Sequence, residues 1–120
     1  MSVQNQSRSY DVAIMRLQRR VDELAEQCRR FEEMIPVMEV WASRWPTATL
    51  GDWLAVDGLE DPHYEMALVA LALQGTDEAG AVIGAYDATQ RGDKHHSFYK
   101  VARTKWERRR AEHDSAQRVA

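Results

Sequence analysis

This chain is short of several things, and each shortage excludes something. It has one cysteine, Cys28, so no disulfide can form within it. Its longest apolar stretch, Met66 to Leu73, is too short to span a bilayer, so no membrane partner is expected. The start, Met1 to Ser9, is polar and lacks the apolar centre of a secretory signal. Together with a lone reduced thiol, this predicts a cytoplasmic setting. No G-x-S-x-G, phosphate-cradling glycine loop or metal-spaced Cys/His set is present. His95 and His96 are adjacent, about 100° apart on a helix, and His63 and His113 are scattered, so these histidines read as surface or capping residues. The pairs Glu32-Glu33 and Asp77-Glu78 read as solvated or first-turn carboxylates. The expectation is a protein without catalysis, cofactor or metal.

Basic residues are missing from the whole of 45–90, which carries eight acids. Residues 1–44 are balanced, residues 91–120 carry a net charge of +5, and the chain as a whole sits at −3. An acidic middle and a basic tail of this kind can attract each other.

What the chain does have is a long apolar seam. Tyr10, Ile14, Leu17, Val21, Leu24, Cys28, Phe31, Ile35 and Met38 recur at steps of four and three, which places them on one stripe of a helix. Arg19, Arg20, Asp22, Glu23, Glu26, Arg29, Arg30 and Glu33 lie between them and face water. The predicted helix covers residues 9–44, after a disordered start over 1–8. Pro36 predicts a kink or a brief break. The compact part, 47–116, completes a single domain over 9–120. In it, Thr49 to Asp52 resembles a capping box. Asp61-Pro62 reads as a cap and first turn, and the MALVALAL run after it as a central core helix. Thr76 opens a helix in which Gly80 and Gly84 allow a close neighbour. Asp93 caps a last helix over about Lys94 to Ala116, with Phe98, Val101, Ala102 and Trp106 turned inward. The fold class is all-α: a long N-terminal amphipathic helix followed by about four shorter ones.

The seam is longer than its own domain can cover. Tyr10 to Met38 spans about 42 Å at 1.5 Å per residue. The other residues, if compact, have a diameter of about 29 Å. Roughly a third of the stripe therefore needs another molecule; leaving five or so large apolar side chains in water forgoes about 1.5–3 kcal/mol each. Two-fold homodimers are the commonest solution. Tyr10, Ile14, Leu17, Val21, Leu24, Cys28 and Phe31 are the candidate dimer or partner-binding residues. The flanking positions give no consistent charge pairs for a parallel zipper, which favours an antiparallel or crossed arrangement.

Two further features bear on partners. Lys100, Arg103, Lys105, Arg108, Arg109 and Arg110 form a basic stretch interleaved with aromatics, the candidate surface for nucleic acid in a runner-up reading as a dimeric DNA-binding regulator. Trp41, Trp45 and Trp53 gather where the long helix meets the body, as core or as a binding pocket. The leading helix, YDVAIMRLQRRVDELAEQCRRFEEMI, followed by short helices in a chain of this size, resembles the small bacterial anti-activators that sequester quorum-sensing transcription factors. That resemblance implies a regulator that binds a LuxR-type activator and disrupts its dimer. It carries no individual binding residue over to this chain.

Overall fold

A computed structural model describes the backbone of residues 2–119 and the side chains of 9–117. Five α-helices follow one another: α1 (Ser2–Ala42), α2 (Thr47–Ala55), α3 (Asp61–Gln74), α4 (Asp77–Ala85) and α5 (Asp93–Val119), with a 3₁₀ turn at Ala88–Arg91 before α5. No strand occurs among the described residues, so the fold is all-α as the periodicity predicts. No helix is long and apolar enough to cross a membrane, among the same residues.

Helix α3 is the hub. It packs against all four other helices, and every residue from Tyr64 to Ala72 except Met66 is buried. An element surrounded on all sides has no polar face to spare, which is why its sequence reads apolar all round. Its one buried charge, Glu65, is held by Arg30 of α1 at 2.6 Å. Phe31, Met38 and Ala42 of α1, Leu50 and Leu54 of α2, Ala79 and Ile83 of α4, and Phe98 and Ala102 of α5 close over it.

Local chemistry explains the boundaries. Gly75, at φ +60°, ends α3, and a Cβ there would lie 2.6 Å from Cγ of Arg109. Thr76 then caps α4 by accepting from the Ala79 N–H at 3.1 Å. The side chain of Gln74 ties three elements together. It donates to the carbonyls of Ala42 (3.0 Å) and Trp45 (2.9 Å) and accepts from Thr47 (2.7 Å), joining the end of α1 to the start of α2. In the α2–α3 turn, the Tyr64 hydroxyl donates to Val56 O at 2.7 Å and accepts from Leu59 N at 3.0 Å. Gly80 lets α5 approach, since a Cβ there would fall 2.2 Å from Cζ2 of Trp106. Gly84 has no neighbour within 4 Å of such an atom, so the expected close contact is made by only one of the two glycines.

Several expectations are corrected. The long helix expected over 9–44 is assigned from Ser2 to Ala42; Met1 and Ala120 lie outside the described residues. The helix runs through Pro36 without a break. Phe31, Met38 and Ala42, buried on either side of that residue, hold the two flanks against the body. Helix α2 begins at Thr47 behind Pro46, not at a Thr49–Asp52 capping box, because the Thr47 hydroxyl is engaged by Gln74. Asp61 is the first residue of α3 and Glu60 occupies the cap position without a side-chain bond.

Helix α1 sets the shape. Its 41 residues are about 61 Å long at 1.5 Å each. The longest extent of the molecule is 62 Å and the radius of gyration 17.8 Å, against about 14 Å for a compact chain of this length.

Candidate functional site

The seam on α1 divides in two. Phe31 is 0% exposed, with its ring 5.8 Å from that of Phe98, and Met38 is buried, so both belong to the core. Phe31 is therefore not free to meet a partner, as its place in the stripe suggests. Ile35 and Cys28 are half-covered by the body. N-terminal to Cys28 the cover ends. Tyr10, Ile14, Leu17, Val21 and Leu24 are 40–71% exposed. These are five consecutive members of the stripe, more than the third of it that the length argument leaves uncovered. Val12 and Met15 are also exposed but lie on the opposite side of the helix.

Where α1 leaves the body, it forms a groove of about 410 Å³ with α5. Leu24, Ala25, Cys28 and Val101 supply apolar walls, and Lys100, Lys105 and Arg108 a basic rim. The bare ridge and this groove are continuous, since both include Leu24.

The basic stretch of α5 is largely committed within the chain. Lys105 pairs with Glu32 of α1. Arg109 binds Glu39 of α1 at 3.1 Å and donates to Leu73 O at 3.1 Å. Arg110 meets Asp77 of α4 at 2.7 Å and Asp114 at 2.8 Å. Among the described residues, basic tail and acidic middle thus meet in one ion pair, Arg110–Asp77, while Glu32 and Glu39 of α1 and Asp114 of α5 itself supply the other acids. Arg103 has, among the described residues, only a 3.8 Å contact to Glu107, within its own helix. Lys100 and Arg108 make no ion pair among the described residues. Half of the six proposed nucleic-acid contacts are therefore engaged in holding α5 down.

The tryptophans split between core and surface. Trp45 packs edge-on against Trp53 at 4.6 Å, and both are half-buried. Trp41, 5.9 Å from Trp45, is exposed beside Val37 and Val40. This is a second, smaller apolar patch, at the other end of α1.

Sequence reasoning missed a polar cluster inside the body. His95 is 2% exposed and its Nε2 lies 2.8 Å from the Tyr86 hydroxyl, so it is not a surface histidine. The Arg91 guanidinium stacks 3.5 Å from the Tyr64 ring. Burial pushes His95 below the ordinary histidine range, opposed by Asp61 and aided by Arg91. Burial likewise raises Glu65, against the pull of Arg30. No sequence signal marks His95 as interior, because its cover comes from the Tyr86 turn. No group of His, Cys, Asp and Glu able to hold a metal occurs among the described residues.

Compared with protein-family models, curated proteins and solved structures, the chain matches none.

Proposed function

We propose that this chain is a non-catalytic, homodimeric regulatory protein that binds and sequesters another protein. The single observation that carries the reading is the row Tyr10, Ile14, Leu17, Val21 and Leu24, five large apolar side chains left exposed on one stripe. Burying each is worth about 1.5–3 kcal/mol. A second copy of the same stripe is cover of matching chemistry, always present at the concentration of the chain itself. With the ridge occupied in this way, the patch of Val37, Val40 and Trp41 is left for a client protein, and tryptophan is enriched among residues that dominate binding energy. The resemblance of the leading helix to quorum-sensing anti-activators supplies the candidate client, a LuxR-type transcriptional activator whose dimer would be disrupted.

Two measurements test the two halves of this reading. Light scattering gives the mass in solution: the native chain is expected at twice 13.8 kDa, and Leu17→Asp or Leu24→Asp at the single-chain mass with its helix content intact. A native chain that stays monomeric at high concentration contradicts the reading. Sedimentation of a purified LuxR-type activator, with and without this chain, then reads out sequestration, which Trp41→Ala should weaken. The competing reading, DNA binding through α5, predicts affinity for duplex DNA that falls steeply with salt and on neutralising Arg108, Arg109 and Arg110.

A further inference from the structure

Resting on the homodimer reading, we infer that the two copies pair antiparallel along α1, with Tyr10 of each seated in the groove beside Cys28 of the other. The seam repeats as two alternating classes, with Ile14, Val21 and Cys28 in one and Tyr10, Leu17 and Leu24 in the other. Antiparallel helices that pack knobs into holes set one class against the other, so paired residue numbers share a constant sum. A sum of 38 matches Tyr10 with Cys28, Ile14 with Leu24 and Leu17 with Val21, and every exposed seam residue finds an apolar, accessible partner. Sliding one heptad in one direction sets Ser7 against Leu24. Sliding one heptad in the other sets Ile14 against Phe31, which is already sealed in its own core, so a large exposed side chain stays uncovered. At a sum of 38 the residue across from Phe31 is Ser7, which is polar and needs no apolar cover.

Charge selects the same register. Asp11 of one copy lies across from Ala25 of the other, and Ala25 lines the groove whose rim carries Lys100 and Arg108. Asp11, Lys100 and Arg108 make no ion pair within their own chain, among the described residues. An acid and two bases that make no ion pair among the described residues thus meet at both ends of a two-fold interface. A parallel pairing leaves all three unpaired and brings both bodies to the same end.

The lone cysteine makes the register measurable. At a sum of 38, the two Cys28 residues stand 18 positions apart along the pair, about 27 Å, far beyond the reach of a disulfide. Three chains are oxidised gently and run without reductant. The native chain is expected to give no covalent dimer, and Tyr10→Cys to give one through the native Cys28. Tyr10→Cys combined with Cys28→Ser is expected to give none. A covalent dimer of the native chain, or of the double variant, overturns the antiparallel register, as does a non-covalent dimer that Tyr10→Cys fails to link. The mass of the unoxidised native chain separates the two levels: a monomer there defeats the homodimer reading, whereas a dimer with the wrong links defeats the register alone. A charge swap gives an independent readout. Asp11→Lys is expected to raise the dimer Kd about tenfold, and Lys100→Asp in the same chain to recover much of it. No loss with Asp11→Lys, or a loss that Lys100→Asp deepens, contradicts the inference.

Discussion

The two halves of α1 carry the same apolar stripe and meet opposite fates. From Cys28 onward the stripe enters the body, and Phe31 and Met38 are sealed against α3 and α5. Before Cys28 the same spacing continues, yet Tyr10 through Leu24 face open solvent. Periodicity therefore fixes which side of a helix is apolar but not what that side is apolar for. The deciding quantity is reach: helix length against the diameter of the body.

The comparison is broken most directly by emptying the buried half. Phe31→Ala removes a fully buried ring and is expected to destabilise the chain by about 3–5 kcal/mol, at every protein concentration. Leu17→Ala on the bare half should cost nothing in the monomer and act only where dimer forms. Thermal melts at two concentrations separate them, since a melting point set by association shifts with dilution.

A second contrast, inside the body, probes how closely it is packed. Gly80→Ala drives a methyl into the Trp106 ring and is expected to cost about 1–3 kcal/mol. Gly84→Ala meets nothing and should stabilise by up to about 1 kcal/mol through helix propensity. Denaturant midpoints read both, and equal effects would mean that α4 and α5 are not in contact at Gly80.

A smaller effect concerns pH. Since burial lowers the pKa of His95 in the folded state, the unfolded chain takes up its proton first. Stability is then full above the ordinary histidine value of about 6.5 and is lost as pH falls below it. The raised Glu65 acts in the opposite sense, costing stability as pH climbs out of the ordinary carboxylate range. Melting points between pH 7.5 and 5.5 should fall in the native chain and fall less in His95→Gln. The bare half of α1 contains no histidine, so this slope belongs to the body.

Much of this was legible in the sequence because its causes are local. The three-and-four spacing gave α1, the apolar run after Asp61-Pro62 gave the central helix, and Thr76 marked the start of α4. What was not legible depends on residues far apart in the chain. Pro36 does not break α1, since flanking residues are buried on both sides of it. The start of α2 is set by Gln74, 27 residues beyond Thr47. Lys105, Arg109 and Arg110 read as a basic surface open to nucleic acid or to the acidic middle, and only the fold shows that Glu32 and Glu39 of α1 take two of them while Asp77 takes the third. His95 carries no mark of burial because its cover, Tyr86, arrives through a turn.

Amide hydrogen exchange along α1, followed as the chain is diluted, bears most directly on the claim that a second copy covers the bare half. The account predicts that residues 10–24 are protected at high concentration and lose that protection on dilution, while residues 28–42 stay protected throughout. Fast exchange of residues 10–24 at every concentration would contradict it, as would protection that dilution to single chains leaves unchanged.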